Sequence, residues 1–353
     1  MSLPIGIVGL PNAGKSTLFN ALLKKQVADN SNYPFCTIEP NKGIVEVPDG
    51  RLSVLAKIVK SENIVPAAIE FLDIAGLVKG AHKGEGLGNQ FLSHIREVAL
   101  ICHVVRFFSD DNVVHVEERI DPVSDIEIVN SELILADLNT LEKQKKPRGK
   151  MEKEETIFFE AVEKLKRELD QGKLAKNVVL DEDQRKAVKK LFLLTDKPVI
   201  YIANTDEEKI KEGLENNFPY KPAIPLSAQM EADLASLTEE DQKEYLDDYN
   251  LEEPILNRLI KQAYQTLGLI SFLTAGEKEV RAWTVKQGVK AKQAAGVIHT
   301  DFEKNFIKAD VVGFEDFVQY EGWANCRNLG KVRSEGKDYL IRDGDVIEFK
   351  VNC

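Results

Sequence analysis

The sequence has few cysteines and no long apolar segment. Its four cysteines, among 353 residues, are scattered without a CxxC pair, which argues against a disulfide framework or a zinc ribbon and favours reduced thiols. Because no run of about 18 apolar residues occurs, we expect no membrane-spanning helix. The N-terminus MSLPIGIVGL lacks the basic flank and the cleavage site of a secretory signal, so we expect a cytoplasmic protein.

The sequence also lacks an excess of positive charge. It contains 47 Lys and Arg residues against 58 Asp and Glu residues, which gives a formal net charge of −11. This balance disfavours non-specific coating of nucleic acid. It leaves open a ribosomal or RNA partner at the slightly basic segment 130–195 or at the neutral segment 276–353.

Short apolar segments alternate with helical patterns in much of the chain. We predict buried strands at PIGIVGL, AAIEFLDIAG, His103–Phe108, KPVIYIANT and AIPLS. The segment KSTLFNALLKK and the segment that begins at NQFLSHIREV have helical spacing. Strands that alternate with helices predict an α/β domain with a parallel sheet.

Two other regions depart from this alternation. Two long helical patterns, joined near Pro147–Gly149, predict an antiparallel helical hairpin inserted between strands of the sheet. Its length and charge density favour an arm that protrudes from the domain, and the alternative is two helices packed on the sheet. We predict a small α+β domain at the C-terminus. The evidence is a set of short β-like runs at GVIH, ADVVGF and YLIRDGDVIEFKV, with a tight turn at Asp343-Gly344.

Residues 9–17, GLPNAGKST, match the pattern GxxxxGK[ST] of a phosphate-binding loop. Its glycines let backbone N–H groups curl around the β-phosphate, and Lys15 would place a positive charge at the β- and γ-phosphate oxygens. Ser16 would offer its hydroxyl to Mg²⁺ at the N-terminus of a helix. The motif lies between a predicted strand and a predicted helix, which is the context that supports nucleotide binding.

A second motif, Asp73-Ile74-Ala75-Gly76, ends a predicted strand. Asp73 would reach Mg²⁺ through water and the N–H of Gly76 would lie near the γ-phosphate, as in GTPase-like switch proteins. Thr37 lies between the two motifs, where a mobile loop would supply a second Mg²⁺ ligand. Leu77 occupies the position of a water-orienting Gln, so slow intrinsic hydrolysis is expected unless another group acts. Candidate groups are His82, His94 and His115.

The predicted base-binding loop reads Asn204-Thr205-Asp206-Glu207 rather than NKxD. The Asp of NKxD accepts hydrogen bonds from N1–H and N2–H₂ of guanine, whereas Glu207 is one methylene longer. Adenine has no N2 amine and presents N1 as an acceptor, so this loop should lose the usual penalty against ATP. Ser227-Ala228 follows the next predicted strand, like the last base-contacting loop of such proteins.

These segments together resemble the YchF/Obg-like ATPase family over nearly the whole chain. The resemblance rests on GLPNAGKST, NYPFCTIEPN, DIAGLVKGAHKGEGLGNQFL, the NxxE loop and YEGWANCRNLGKVRSEGKDYLIRDGDVIEFKVN. It implies a P-loop GTPase-like domain at 1–125 and 196–275. It also implies a helical coiled-coil insertion at 126–195 and a C-terminal TGS domain of β-grasp type at 276–353.

The resemblance further implies site residues and partners. Phosphate contacts fall on Asn12, Ala13, Gly14, Lys15, Ser16 and Thr17. Base contacts fall on Asn204, Thr205 and Glu207, and Mg²⁺ on Ser16 and Thr37. It points to His115 as the group that acts in hydrolysis, and the alternative is a partly exposed structural histidine. It also implies ATP as the substrate and a ribosomal partner. We expect the large subunit to be contacted through the hairpin and the TGS domain, and nothing in the sequence requires more than a monomer.

Several functions follow from these features. We predict a slow, Mg²⁺-dependent ATPase that acts as a ribosome-associated switch. A nucleotide-regulated binding module with little hydrolysis stays open because of Leu77, and a GTP-binding translation or ribosome-assembly factor is disfavoured only by the NTDE loop. Asn12 could help to hold K⁺ beside the phosphates, or it could only stabilise the loop. Trp323, Arg327, Lys331 and Arg333 could face RNA, although a solvated surface is the more common role of such residues.

Overall fold

The computed structural model of this chain describes residues 3–28, 41–74, 87–109, 120–147, 149, 151–210 and 218–352. The described residues form two compact units. The first unit is drawn from Met1–Lys24, Glu39–Gly43 and Glu70–Ile255, and the second from Lys25–Ile38, Ile44–Ile69 and Leu256–Cys353. The three-domain boundaries predicted above stay a prediction, since this grouping puts residues 126–195 in the first unit and begins the second before residue 276.

The described residues contain both helices and strands. The strands are β1 Ile5–Val8, β2 Lys42–Glu46, β3 Ile64–Val65, β4 Ala68–Asp73, β5 Leu100–Arg106, β6 Val199–Asn204, β7 Ala223–Leu226, β8 Leu269–Ala275, β9 Val280–Lys286, β10 Phe306–Gly313, β11 Arg333–Glu335 and β12 Asp345–Val351. The helices are α1 Lys15–Ala28, α2 Arg51–Val59, α3 Leu87–Glu97, α4 Pro122–Glu142, α5 Lys153–Asp170, α6 Glu182–Val188, α7 Glu207–Ile210, α8 Ala228–Leu234, α9 Glu239–Asp248, α10 Ile255–Thr266, α11 Ala291–Ile298, α12 Thr300–Lys304, α13 Phe314–Gln319 and α14 Trp323–Asn328.

The first sheet has the strand order β2-β4-β1-β5-β6-β7. β1 pairs in parallel with β4 and β5, and β6 pairs in parallel with β5 and β7. All residues of β1 and β5 are buried, as expected for a parallel sheet that is covered on both faces. The predicted α/β fold is therefore confirmed, although β5 begins at Leu100 and ends at Arg106 rather than covering His103–Phe108.

Helix α4 packs on the first sheet. Its residues Val129, Leu133 and Ala136 belong to the same buried cluster as Val8 of β1 and Ile101 of β5. The sequence favoured a hairpin that protrudes from the domain, whereas the part of α4 from Val129 to Ala136 packs on the sheet. The apolar residues of α4 are spaced so that one face meets the sheet, which charge density along the sequence does not reveal.

Helices α4 and α5 also pack on each other, which confirms the predicted helical pair. Leu141 of α4 shares a buried cluster with Phe158, Ala161, Leu165 and Leu169 of α5, at the helical spacing read from the sequence. A buried carboxylate ties α4 to the turn that precedes β6. Asp137 accepts hydrogen bonds from Leu194 N, Thr195 N and Thr195 Oγ1 at 2.8, 2.8 and 2.7 Å.

The second sheet has the strand order β11-β10-β12-β8-β9-β3. β12 is parallel to β8 and antiparallel to β10, while β8 and β9 form an antiparallel pair. This mixed sheet packs with α11 on a core that includes Phe272, Ala294 and Ile347, so the predicted α+β fold is confirmed. The turn at Asp343-Gly344 is also confirmed, with Gly344 at a φ of 79°.

One predicted strand of the second unit is wrong. GVIH lies at the end of α11, whose Ala291, Ala294 and Ala295 are buried on one face. The helix-forming run AKQAA fixes the conformation, and the β-branched Val297 and Ile298 follow it. None of the helices that the structure describes combines the length and the apolar character needed to cross a membrane.

Candidate functional site

The loop between β1 and α1 requires glycine at two positions. Gly9 has a φ of 154°, and a Cβ there would lie 2.3 Å from the carbonyl oxygen of Val104 in the neighbouring β5. Gly14 has a φ of 96°, and a Cβ there would lie 2.1 Å from Nδ2 of Asn204. Asn12 adopts the left-handed region at a φ of 61°, with its side chain exposed. This backbone gives the loop the curved shape expected of a phosphate-binding loop.

Lys15 is the first residue of α1 and its side chain is buried within the loop. Its Nζ donates a hydrogen bond of 2.8 Å to the carbonyl oxygen of Leu10. Burial lowers the pKa of this lysine, and the nearby carboxylate of Asp73 opposes that shift. A bound phosphate would add negative charge beside the ammonium group and favour its protonated form.

Asp73 ends β4 and contributes a carboxylate oxygen that has no hydrogen-bond partner among the described residues. Its Oδ1 is buried and accepts no hydrogen bond from the part of the chain that the structure describes. Burial raises the pKa of this carboxyl group, and the charge of Lys15 opposes the shift. A buried carboxylate oxygen of this kind fits a Mg²⁺ ion or one of its water ligands. Ser16 is exposed in the first turn of α1, where its hydroxyl is accessible.

Asn204 joins the phosphate-binding loop to the loop after β7. Its Nδ2 donates to the carbonyl oxygen of Ala13 at 2.9 Å, and its Oδ1 accepts from the backbone N–H of Ala228 at 2.9 Å. Its side chain is buried at the end of β6. Asn204 therefore holds the two loops together. The sequence predicted it only as a contact to the base.

The remaining loop residues have local partners. The backbone N–H of Thr205 donates to the carbonyl oxygen of Leu226 at 3.0 Å, which extends the pairing of β6 with β7. Ser227 is the N-cap of α8 and its Oγ accepts from Met230 N at 3.2 Å. These contacts fix the backbone on the side of the site where the base loop lies.

Glu207 is held by two tyrosines that were not predicted as site residues. Its Oε2 accepts hydrogen bonds from the hydroxyl groups of Tyr245 at 3.0 Å and Tyr249 at 2.9 Å. The two rings, four residues apart at the end of α9, are stacked with their centroids 5.3 Å apart. The hydrogen bond to Glu207 raises the pKa of Tyr249, and burial together with the same contact raises that of Tyr245.

Seven of the predicted site residues line one cavity of about 970 Å³. It lies at the carboxyl ends of parallel strands, where α/β sheets bind ligands. The predicted residues that line it are Gly14, Thr17, Asn204, Thr205, Glu207, Ser227 and Ala228. Phe108, Ser109 and Tyr249 also line the cavity and were not predicted.

Several other predicted residues do not line this cavity in the part of the chain that the structure describes. Thr37, Gly76 and His115 lie outside the described residues, as do His82 and Leu77. His94 is exposed on α3. The metal and hydrolytic roles predicted for the first group therefore stay predictions.

The N-terminal and C-terminal parts of the chain match two family models. Residues 4–139 match the model described as a 50S ribosome-binding GTPase. Residues 269–352 match the C-terminal YchF GTPase model, described as a protein of unknown function (DUF933).

Full-length relatives are similar to the whole chain. The ribosome-binding ATPase YchF of Bacillus subtilis is 50% identical over 366 residues, which cover 100% of both chains. The ribosome-binding ATPase YchF of Escherichia coli O157:H7 is 48% identical over 369 residues, again covering 100% of both. A solved structure of the Schizosaccharomyces pombe YchF GTPase has a TM-score of 0.88 and 37% sequence identity, and the match covers 99% of this chain and 98% of that one.

Proposed function

We propose a function for this chain from the premise that it belongs to the YchF family. The proposed function is the hydrolysis of ATP to ADP and phosphate by a Mg²⁺-dependent P-loop ATPase that acts as a slow switch on the ribosome. The names of the B. subtilis and E. coli relatives support both parts of this proposal. Action on the ribosome would place the protein in the cytoplasm.

The observation that carries the proposal is the geometry of the loop from Gly9 to Thr17. The loop closes around a buried Lys15 ammonium group whose hydrogen-bond acceptor is the loop carbonyl of Leu10. In the nucleotide complex, we infer that this ammonium group turns to the β- and γ-phosphate oxygens. Backbone N–H groups from Asn12 to Thr17 would contact the same phosphates, and the N-terminus of α1 adds its positive dipole end.

Two described residues suit Mg²⁺. Ser16 would hold the ion through its hydroxyl and Asp73 through water, with Thr37 as a further ligand. The ion supplies charge neutralisation on the β- and γ-phosphate oxygens when it is bound. We propose that Gly76 N–H would contact the γ-phosphate and that His115 would act on the attacking water.

The nucleotide preference follows from Glu207. We infer that ATP binds better than GTP because a single carboxylate, already engaged by two hydroxyl groups, replaces the Asp that grips guanine in NKxD proteins. Asn204, Thr205, Ser227 and Ala228 would form the rest of the base site. The second candidate is a GTPase, which the names of the N-terminal family model and of the S. pombe protein favour.

The experiment is a comparison of both nucleotides on one preparation. We expect ATP to bind more tightly than GTP, and phosphate release from ATP to be slow alone and faster with ribosomes. Lys15→Ala should lose nucleotide binding while keeping its unfolding temperature. A GTP affinity ten times that for ATP would favour the GTPase, and binding without phosphate release, with or without ribosomes, would favour a binding module.

The same assay tests the remaining parts of the proposal. We propose contact with the large ribosomal subunit through α4, α5 and the C-terminal domain, as a monomer, so co-sedimentation should require large rather than small subunits. Single-turnover rates of His115→Ala that equal those of wild type, with and without ribosomes, would remove His115 from the mechanism. Equal turnover in K⁺ and Na⁺ would remove K⁺ and the role of Asn12 in holding it.

A further inference from the structure

The side chain of Glu207 has partners that do not belong to the nucleotide loops. Tyr245 of α9 and Tyr249, the C-cap residue of the same helix, both donate to the same oxygen, Oε2, at 3.0 and 2.9 Å. We propose that these two tyrosines determine base specificity, because their hydroxyl groups satisfy Oε2 of the Glu207 carboxylate and so favour adenine over guanine. This inference rests on the proposed nucleotide-binding function of the site.

A carboxylate that lines a base site must have hydrogen-bond donors. An ionised carboxylate only accepts, and it loses its water partners when a ligand covers it. Glu207 lines the cavity, so a bound base would displace water from this side chain. The two phenol hydroxyls supply donors from within the protein, which remain in place whichever base is bound.

The two purines differ in the donors that they offer. The edge of guanine presents N1–H and N2–H₂, two adjacent donors that suit a carboxylate. Adenine presents N1 as an acceptor and only the N6 amine as a donor. A carboxylate without donors from the protein would therefore bind guanine more tightly than adenine. The two tyrosine hydroxyl groups remove most of this difference in affinity.

The local packing holds the tyrosines in position. Tyr245 and Tyr249 are four residues apart, so they lie on the same side of the helical turn, and their rings stack at 26°. Leu246, between them, is buried and anchors this end of α9. Thr238 caps the start of α9 by accepting from Asp241 N at 3.3 Å. Because packing already holds the two tyrosine side chains in place, they lose little conformational entropy when they donate to Glu207.

The two tyrosines can be tested separately. Tyr249 lines the cavity, whereas Tyr245 is not among the lining residues in the part of the chain that is described. Tyr245→Phe therefore removes a donor from Glu207 without changing a residue that lines the cavity. Tyr339→Phe is a matched control in the second unit, because it removes a hydroxyl that donates to the carboxylate of Asp345 at 2.8 Å.

The experiment measures dissociation constants of ATP and GTP for wild type, Tyr245→Phe, the double variant Tyr245→Phe/Tyr249→Phe, and Tyr339→Phe. We expect the ratio of the GTP to the ATP dissociation constant to fall about tenfold in the double variant. The ratio should fall by a smaller factor in Tyr245→Phe and should not change in Tyr339→Phe. The same two Tyr→Phe changes should leave the ratio unchanged in a Glu207→Ala background.

Two results would overturn the inference. One is a ratio that stays within about twofold of wild type in the double variant. The other is an equal shift in the Glu207→Ala background, which would show that the tyrosines do not act through Glu207. A wild-type protein that prefers GTP would refute the proposed ATP preference but not the inference, which is judged by the change in the ratio. A protein that binds neither nucleotide would overturn both.

Discussion

His103 is a buried, neutral side chain that should make the first unit sensitive to acid. It lies in β5, opposite Val8 of β1 and Tyr201 of β6, and is 3% exposed. Its ring contacts that of Tyr201 with the centroids 5.7 Å apart. Burial, and to a smaller extent the positive charge of Lys15, lower the pKa of His103 to about 3. The folded protein therefore keeps this imidazole uncharged at every pH near neutrality.

The magnitude follows from the difference between folded and unfolded states. An unfolded histidine has a pKa of about 6.5, so between about pH 6.5 and pH 3 the unfolded chain binds the proton and the folded protein does not. The free energy of unfolding consequently falls as the pH falls through this range, by about 1.4 kcal/mol per pH unit once the pH is well below 6.5. From about pH 7 to about pH 5, His103 alone should remove about 2 kcal/mol.

The assay is urea unfolding followed by far-UV circular dichroism. Both tryptophans, Trp283 and Trp323, belong to the second unit, so tryptophan fluorescence would follow the wrong part of the chain. We compare wild type with His103→Gln, and with His94→Gln as a control for an exposed histidine of the same unit. His103→Gln should lose about 2 kcal/mol less than wild type on acidification to about pH 5. Equal losses in the two proteins would refute the reasoning, whatever the stability of the variant at neutral pH.

Three further predictions concern single contacts. Gly14→Ala should weaken nucleotide binding about tenfold, because the new Cβ would displace Asn204 from Ala13. Gly172→Ala, at a φ of 81° with open space around it, is the control for backbone strain, and an equal loss of binding there would exclude crowding as the cause. Asp137→Ala should lower the free energy of unfolding by about 3 kcal/mol, since it leaves three donors of Leu194 and Thr195 unpaired. Urea unfolding measures this loss, and a loss below about 1 kcal/mol would contradict the prediction. Asp73→Asn should raise the Mg²⁺ concentration needed for half-maximal nucleotide binding about tenfold, as measured by Mg²⁺ titration, and an unchanged Mg²⁺ dependence would argue against its metal role.

The features that could be predicted from the sequence are those in which residue type is dictated by backbone geometry. Gly9 and Gly14 are required because a side chain at either position would collide with a neighbouring element. The buried strands β1, β5 and β6 could be predicted because a parallel sheet covered on both faces requires continuous apolar runs. The phosphate-binding loop and the buried strands of its sheet could therefore be predicted from the sequence.

The features that could not be predicted depend on contacts between distant segments. The hairpin of β8 and β9 was missed, because the turn at Gly276, between its two strands, is also the kind of signal that marks a linker. Tyr245 and Tyr249 read as ordinary residues of an amphipathic helix. No sequence pattern places them against Glu207, which lies 38 and 42 residues earlier in the chain.

Asn204 makes the phosphate-binding and base-binding parts of the site depend on each other. β1 and β7 are separated in the sheet by β5 and β6, so no backbone pairing connects the loops that follow them. The two hydrogen bonds of Asn204, to Ala13 and from Ala228, supply that connection. Glu207 follows Asn204 by three residues, so the carboxylate held by the tyrosines is attached to the same support. A substitution at Asn204 should therefore weaken the binding of the nucleoside and of the triphosphate together, because neither loop is positioned independently of the other.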